Sequence, residues 1–316
     1  MATKTTESSR ISIFVNAKNG DKLIKLWQLL ISDEMEHVLN KSKSTILVGG
    51  TLKPFEDFVS VLMPNLKKKI EYFSCGHIVE DDKIAAFCLK NGPTNKIFDF
   101  CLANRKDEKM LKDLAFALLN FSISIPAGIV CFFQSFSYLT QIINFWKQNG
   151  LFDKLNNKKK IFIEPKNNSD VKDILNQYYN SIKFDNGGFL FCVYGGKFSE
   201  GINFKDDLAR GVVCIGVPYP NRKDLELNER INYFNKIKNK SGDKFYQNIC
   251  IKTINQSIGR AIRWREDFAC IILIDKRYSL DENLSEGISD WIKKKKINCS
   301  KFGQCIKGVR SFFKQK

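Results

Sequence analysis

Residues 256–275, QSIGRAIRWREDFACIILID, carry the side chains best suited to grip an anion. Arg260 and Arg263 are three positions apart, and on a helix they would share a face near Gln256. Two adjacent guanidinium groups form a fork that suits bidentate binding of a triphosphate. A solvated basic helix ahead of a core strand has the same pattern, and charge alone favours that simpler interpretation.

A glycine-containing loop, GGKFSEGINF over residues 195–204, follows a predicted strand. Glycines let the backbone approach a ligand closely and present its amides to phosphate oxygens. Lys197 adds a cation, Ser199 a hydroxyl, and Asn203 an amide that suits a ribose or orders the loop. Glycine turns after strands are common, but a purely structural turn has little need of these polar side chains together.

Two further stretches place a hydroxyl where a predicted strand ends. In GIVCFFQSFSYL, residues 128–139, Ser135 stands between a strand and a helix N-terminus, which is a ready anion site. A serine N-cap without a ligand is the simpler interpretation of this stretch alone. In KSTILVGGTLKPFEDF, residues 43–58, Thr51 follows a Gly-Gly turn. Neither stretch is decisive by itself.

Strands and helices must position these side chains. The first part of the chain predicts a helix over 21–41, a strand over 44–48, a helix over 54–63, strands over 70–74 and 97–102 around a turn-rich stretch at 81–95, and a helix over 106–121. The remainder predicts strands over 129–133, 160–163, 189–194, 212–217 and 269–275, among helices over 136–147, 169–182, 224–239 and 244–263. This alternation predicts an α/β fold with a parallel sheet covered on both faces, and ligands beyond the carboxyl ends of its strands.

The chain is strongly basic. Its 316 residues carry a net charge of +17, with a pI of about 9.3, which favours a polyanionic partner such as nucleic acid. The excess of lysine and asparagine also fits a compositional bias, so charge alone leaves nucleic-acid binding at even odds. The basic run at residues 293–296 predicts a solvated helix end.

Cysteine and histidine usage argues against a metal site or a disulfide framework. None of the ten cysteines forms a CxxC pair, and several lie in apolar runs, which predicts buried thiols in a reducing compartment. Only two histidines are present, and we predict no metal site. Residues 114–146 carry no charge, but Pro126 and several polar residues interrupt them. They predict a helix, a turn, a strand and a second helix rather than a membrane span.

Together the four stretches resemble the late motifs of one enzyme family, the XPD-like, iron–sulfur DNA helicases of superfamily 2. ILVGGTLKPFEDF is similar to motif III, GIVCFFQSFSYL to motif IV, GGKFSEGINF to motif V and QSIGRAIR to motif VI. The details favour the chromosome-loss, sister-chromatid-cohesion branch of that family. The resemblance implies a RecA-like fold, with residues 1–70 as the last helix, strand and motif III of a first helicase domain and residues 71–316 as the second domain.

The resemblance also implies a role for each matching residue. Arg260 and Arg263 would reach the phosphates of an ATP held between two RecA-like domains, with Arg263 as the arginine finger. The other residues implied to contact the nucleotide are Gln256, Gly259, Gly201 and Asn203. Those implied to contact the phosphates of a DNA strand are Ser135, Lys197, Ser199 and Arg222, and Thr51 is implied to couple closure of the cleft to the grip on DNA.

Cofactors and partners are implied in the same way. The family uses ATP with Mg²⁺, single-stranded or forked DNA, a first helicase domain joined in cis or supplied in trans, and cohesion or replication factors, in the nucleus and without a membrane. No GxxxxGK[ST] phosphate loop and no DEAH-type sequence occur in this chain, so neither Mg²⁺ ligands nor a catalytic glutamate can be assigned. The family's iron–sulfur cysteines belong to the first domain.

We therefore expect the chain to be the C-terminal half of a helicase, as a fragment, a truncated reading frame or a separately encoded subunit, and to be inactive alone. The alternative is a non-catalytic nucleic-acid-binding remnant, or a subunit of a split helicase. A metabolic enzyme with a dinucleotide cofactor would need a GxGxxG sequence, which is missing here. We also expect residues 1–70 to pack poorly on the rest of the chain, with apolar side chains of the strand over 44–48 and of the helix over 21–41 exposed.

Overall fold

The computed structural model describes residues 8–15, 20–30, 32–50, 52, 55, 59, 62–63, 70–76, 79–166, 170–202, 204–237, 241–260, 262 and 264–316. The chain forms two compact units. The smaller comprises Met1–Ser74 and Pro220–Ile249, and the larger comprises Cys75–Tyr219 and Cys250–Lys316. The predicted boundary at residue 70 between helicase domains stays a prediction.

The strands are β1 (Ser9–Val15), β2 (Lys22–Gln28), β3 (Ile84–Leu89), β4 (Gly128–Phe133), β5 (Lys160–Ile163), β6 (Gly188–Val193), β7 (Gly211–Ile215), β8 (Ala269–Ile274) and β9 (Lys296–Cys299). The helices are α1 (Ser32–Lys41), α2 (Glu108–Ser124), α3 (Phe136–Gln148), α4 (Leu151–Lys158), α5 (Val171–Phe184), α6 (Lys197–Gly201), α7 (Leu225–Ile237), α8 (Gly242–Ile258), α9 (Arg277–Leu280), α10 (Glu282–Gly287), α11 (Asp290–Lys293) and α12 (Phe302–Lys314).

A seven-stranded parallel sheet organises the larger unit. Its order is β5-β6-β4-β7-β8-β3-β9, so most neighbouring strands are joined by crossovers that place helices on the faces of the sheet. Every residue of β4, β6 and β8 is buried. A strand buried on both faces gains from apolar side chains at every position, which is why GIVCFF, GFLFCV and ACIILI show no alternation. The predicted α/β parallel sheet is confirmed.

Apolar cores lie on both faces of this sheet. One contains Trp146, Phe133 and Phe191 with side chains of α2, α3 and α12. The other contains Phe132, Tyr194 and Ile254 with side chains of α5 and α8. The uncharged stretch 114–146 contributes α2, β4 and α3, as predicted, and its turn places Ala127 at a positive φ of 49°. Across the described residues, no helix has the length and apolarity needed to span a membrane.

The predicted helix over 21–41 is wrong in its first half. Residues 22–28 form β2, which pairs antiparallel with β1 in a register that sets Ile13 opposite Ile24. The apolar residues of this stretch have helical spacing, whereas its partner strand SRISIFV alternates, and pairing with that strand makes the stretch extended. The helix proper begins at Ser32.

The predicted strands over 44–48, 70–74 and 97–102 are also wrong. Residues 44–48 and 70–74 have no regular structure, and within 97–102 only Ile97 forms an isolated bridge, to Asn91. Ile46 and Val48 are 84% and 89% exposed, as expected for side chains that lack a sheet to cover them. Residues 81–95, which were predicted to form turns, contain the inner strand β3, IAAFCL. The basic run at 293–296 leads into the edge strand β9.

Candidate functional site

The motif VI stretch leaves its helix before the first arginine. α8 ends at Ile258, and Gly259 and Arg260 form a turn, with the Gly259 amide bonded to Asn255 O at 2.9 Å and the Arg260 amide to Ser257 O at 3.3 Å. The prediction that Arg260 projects from a helix face is therefore wrong. The turn that follows α8 brings Arg260 to a neighbouring loop.

That neighbouring loop is the glycine-containing stretch after β6. Arg260 Nε donates to Ser199 O at 2.8 Å, and the Phe204 amide donates to Arg260 O at 3.3 Å. The side chain of Arg260 thus contacts the middle of the loop, and its carbonyl contacts the last residue of the loop. Gln256 is exposed on the last turn of α8. The structure brings the motif V and motif VI stretches into direct contact, although 61 residues separate Ser199 from Arg260.

The loop needs glycine at its turn. Gly195 has a φ of +67°, in the left-handed region where side chains are disfavoured. At Gly196 an added Cβ would lie 2.4 Å from Glu164 Oε1 and 2.8 Å from Val193 O. The backbone passes so close to Glu164 that no larger residue fits without a shift.

Glu164 is a residue of this site that sequence reasoning missed. It directly follows β5, is 2% exposed, and accepts hydrogen bonds from the amides of Val193 at 2.8 Å and Phe198 at 3.1 Å. Burial raises the pKa of Glu164, and the backbone N–H groups of Val193, Phe198 and Lys197 oppose that rise. The carboxylate therefore binds the loop amides where α6 begins. The sequence signal that could have identified Glu164 is a single acidic residue directly after an apolar strand.

The polar side chains of α6 have different surroundings. Lys197 Nζ donates to Lys166 O at 3.0 Å and lies at the surface. Ser199 is 2% exposed, and its hydroxyl donates to Gly196 O at 2.8 Å. A contact between Ser199 and a DNA phosphate would require the hydroxyl to leave this bond. Gly201 is the last residue of α6.

Ser135 lies at the carboxyl end of β4, where the sequence places it. It is the N-cap of α3, and its Oγ accepts from the Tyr138 amide at 3.2 Å and lies 3.1 Å from Ser137 Oγ. Because β4 and β6 are parallel neighbours, Ser135 and the loop after β6 lie at the same edge of the sheet. Two hydroxyls at the positive end of a 13-residue helix suit a phosphate group.

Arg222 belongs to the smaller unit, and its contacts with Asp243 and Tyr246 lie within that unit. Its Nη2 pairs with Asp243 Oδ1 at 2.5 Å, and its guanidinium lies 4.4 Å from the centre of the Tyr246 ring. The side chain is 57% exposed, so the ion pair leaves much of the guanidinium open to solvent. Thr51, Asn203 and Arg263, which were also predicted as site residues, lie outside the described residues.

Comparison with known proteins supports one family. Residues 118–295, more than half of the chain, match the model of the helicase C-terminal domain. The chain belongs to this family. The matched range contains Ser135, the loop after β6 and the Arg260 turn.

Relatives of this helicase C-terminal domain chain are longer proteins. It is 37% identical over 313 residues to the ATP-dependent DNA helicase chl1 of Schizosaccharomyces pombe, covering 96% of this chain and 37% of that protein. It is 35% identical over 329 residues to the ATP-dependent DNA helicase DDX11 of Danio rerio, covering 99% of this chain and 37% of that protein. The chain thus spans less than two fifths of each relative's length.

Two solved structures share the fold of this helicase C-terminal domain chain. Apo XPD superposes with a TM-score of 0.58 at 21% identity, covering 89% of this chain and 53% of that one. S. tokodaii Xpd4 gives a TM-score of 0.57 at 19% identity, covering 89% and 50%. At these identities the likeness establishes the fold.

A second buried carboxylate at the sheet edge was not predicted. Asp275 follows β8, is fully buried, and accepts from Arg277 Nε at 2.8 Å and Arg277 Nη2 at 2.7 Å. The Phe100 amide donates to its Oδ2 at 3.3 Å. A bidentate Arg–Asp pair of this kind orders the backbone after β8, at the same edge as Ser135.

Metal and thiol chemistry finds no support in the part of the chain that the structure describes. No group of three or more His, Cys, Asp or Glu residues there could hold a metal ion. The cysteines are free, and eight of them are buried. Burial raises the pKa of the Cys88 and Cys214 thiols to about 12, so both stay protonated and unreactive near neutral pH.

Proposed function

We propose that this chain is the second RecA-like half of an ATP-dependent DNA helicase. The observation that carries the proposal is the contact between the Arg260 turn and the loop after β6, made by Arg260 Nε and Ser199 O. This contact joins two stretches that resemble helicase motifs, inside a matched helicase C-terminal domain. The names of its longer relatives, ATP-dependent DNA helicases, support the same activity.

The nucleotide side of the site contains both motif VI arginines. Arg260 and Arg263 contact the β- and γ-phosphates, and Arg263 neutralises charge that develops as the γ-phosphoryl group departs. The bond from Arg260 Nε to Ser199 O orients the guanidinium group beside the loop after β6. The residues that complete this side are Gln256, Gly259, Gly201 and Asn203.

The DNA side lies at the carboxyl edge of the sheet. Ser135, at the start of α3, and Lys197, at the start of α6, contact phosphates of a single strand or of a fork. Ser199 contributes to this side if its hydroxyl turns away from Gly196. Arg222, in the smaller unit, is a separate candidate for contact with a phosphate of the strand. Thr51 couples closure of the cleft to this grip. Contacts to phosphates give affinity without reading sequence, in keeping with a net charge of +17.

Other parts of the reaction belong to a first helicase domain, joined in cis or supplied in trans. That domain supplies the phosphate loop, the ligands of Mg²⁺ and the cysteines of the iron–sulfur cluster. Residues 1–70 are the end of that domain and residues 71–316 are the second domain. The assembled enzyme works in the nucleus, with partners from chromosome cohesion or replication. A non-catalytic nucleic-acid-binding protein is the alternative, and the missing GxxxxGK[ST] sequence favours it for this chain taken alone.

Separate binding measurements test the two sides. We expect Arg260→Ala to weaken ADP binding by about tenfold or more, because a charged hydrogen bond to phosphate is lost, and to leave oligo(dT) affinity unchanged. Lys197→Ala should weaken oligo(dT) binding and lower its salt dependence by about one counterion, with ADP affinity unchanged.

Arg265→Ala is the matched control for both variants. Arg265 lies close in sequence to Arg260, is 72% exposed and pairs with Glu80 at 3.3 Å. It should change neither affinity, since exposed ion pairs contribute little. If Arg260→Ala lowered oligo(dT) affinity as much as ADP affinity, the division into two sides would be wrong. Oligo(dT) binding that is indifferent to salt would show that the positive charge is only compositional.

A further inference from the structure

Trp264 is an exposed aromatic residue next to the Arg260 turn. Its side chain is 57% exposed, whereas Trp27 and Trp146 are buried at 6% and 0%. An indole ring offers a large, rigid contact surface at a small cost in side-chain entropy, which is why exposed aromatic residues mark binding surfaces. Trp264 has no part in the phosphate contacts proposed for the motif VI arginines.

A lysine lies over the tryptophan ring. Lys205 Nζ is 5.2 Å from the ring centre of Trp264, within the range of a cation–π contact. Lys205 comes directly after Phe204, whose amide donates to Arg260 O at 3.3 Å. The segment that contacts Arg260 therefore also brings Lys205 to Trp264. Cation, aromatic ring and arginine turn lie in one continuous patch of the larger unit.

A buried carboxylate fixes this patch in place. Asp267 is 1% exposed, and it accepts from the Trp264 amide through Oδ2 at 2.9 Å and from the Asp206 amide through Oδ1 at 3.2 Å. The Asp267 amide returns a bond to Trp264 O at 3.1 Å. Asp206 holds a φ of +48°, a conformation that costs free energy unless the surroundings stabilise it. Both sides of the patch are therefore ordered before any ligand binds, which lowers the entropy lost on binding.

We propose that Trp264 and Lys205 form a platform for the base of the bound nucleotide. The inference rests on the proposed function, because the base belongs to the nucleotide that this function requires. Lys205 occupies one face of the indole, and the exposed remainder of the ring stacks on the planar purine. The ammonium group of Lys205 lies toward the sugar–phosphate side. A stacking ring beside a cation is the chemistry that binds nucleobases without hydrogen-bond readout.

Calorimetric titration of the purified 316-residue chain with ADP and with inorganic triphosphate tests the platform. Triphosphate contains the phosphates without the base. In Trp264→Ala we expect the Kd for ADP to rise by roughly tenfold, the usual effect of removing one stacked aromatic ring, and the Kd for triphosphate to stay constant. Trp264→Phe should keep most of the ADP affinity, because phenylalanine also stacks. Oligo(dT) affinity should not change in either variant.

In the Trp264→Ala variant, any of three results would overturn the platform. These are an unchanged ADP Kd in Trp264→Ala, an equal loss for ADP and triphosphate, and a fall in oligo(dT) affinity alone, which would assign the ring to a DNA base. Absence of saturable ADP binding by the unaltered chain would also contradict it. Arg260→Ala separates the two proposals, since it should weaken ADP and triphosphate equally. If it weakened neither while Trp264→Ala weakened ADP, the phosphate contact would fail and the stacking ring would remain.

Discussion

The two compact units of this chain expose their apolar side chains to very different degrees. In the larger unit, β4, β6 and β8 are buried along their whole length. In the smaller unit, the paired residues Ile13 and Ile24 of the β1–β2 hairpin are 63% and 68% exposed. A two-stranded hairpin is marginally stable alone, whereas a sheet covered on both faces carries its own core.

This difference in exposure shows which unit has an apolar core of its own. The larger unit contains Ser135, Lys197 and Arg260 and the sheet that positions them, so the binding surfaces proposed for these residues rest on a folded core. The smaller unit exposes apolar surface of the kind that marks an interaction site. Under the proposed function, a first helicase domain would cover that surface.

Amide hydrogen exchange should show the largest difference between the two units. Amides of residues 271–274 in β8 pair with both β7 and β3 and should exchange only through global unfolding. Amides of residues 46–48 are not in a strand, and their exchange should be close to that of an unfolded peptide. We expect the two rates to differ by roughly a thousandfold or more. Equal protection of the amides in both segments would show that residues 44–48 are hydrogen-bonded in a sheet.

Truncation of one large side chain in each unit should give the next largest difference. Phe191, fully buried in β6, has its ring centre 5.2 Å from that of Phe133 and 6.1 Å from that of Trp146. Phe191→Ala should lower the free energy of unfolding by about 3–5 kcal/mol through lost burial and a new cavity. The control Ile24→Ala, on the exposed hairpin, should change it by less than about 0.5 kcal/mol. Urea denaturation measures both, and a comparable loss in Ile24→Ala would mean that the hairpin face is covered.

Glycine substitutions compare backbone packing in the same two units. Gly196→Ala places a Cβ against Glu164 and should cost about 1–3 kcal/mol of unfolding free energy, besides disturbing the loop that Arg260 contacts. At Gly50, in the smaller unit, an added Cβ meets nothing within 4 Å. Gly50→Ala should be neutral or slightly stabilising, because it restricts the unfolded chain. Thermal unfolding of both variants checks this, and a harmless Gly196→Ala would contradict the packing given to Glu164.

A buried lysine gives the smallest expected difference, and it depends on pH. Lys159 is 4% exposed and donates to Ala127 O at 2.7 Å and Asn186 O at 2.9 Å, and burial lowers its pKa to about 8. Between pH 8 and about 10.5 the unfolded chain binds the proton more tightly, so this residue makes stability rise with pH across that window. We expect a contribution on the order of 2 kcal/mol.

Urea denaturation at pH 8 and pH 10 measures the contribution of Lys159. In Lys159→Met the unfolding free energy should rise less between these two pH values. In Lys22→Met, at an exposed position of β2, it should rise as much as in the unaltered chain. A rise of the same size in Lys159→Met and the unaltered chain would contradict the assignment.

The sheet could largely be predicted from the sequence, because the runs in β4, β6 and β8 are apolar throughout and stand at regular distances. β3 was missed because Ala85 and Ala86 weaken its strand signal and charged residues precede it. β2 was assigned to a helix because its own apolar spacing fits one, and the alternating sequence of its hairpin partner β1 was not taken into account. The site was predicted as a set of residues but not as a geometry. Glu164 stabilises the loop through amides about 30 positions away, and only the folded chain brings them together.

Under the proposed function, this chain supplies the arginine side of a shared ATP site, and its sequence contains no GxxxxGK[ST] phosphate loop. DNA-stimulated ATP hydrolysis by the purified 316-residue chain tests it most directly, alongside an Arg260→Ala variant. We predict oligo(dT) binding that falls steeply with salt, and no ATP turnover above background in either protein. DNA-stimulated hydrolysis that disappears in Arg260→Ala would contradict the claim, because the chain would then hold a complete ATP site.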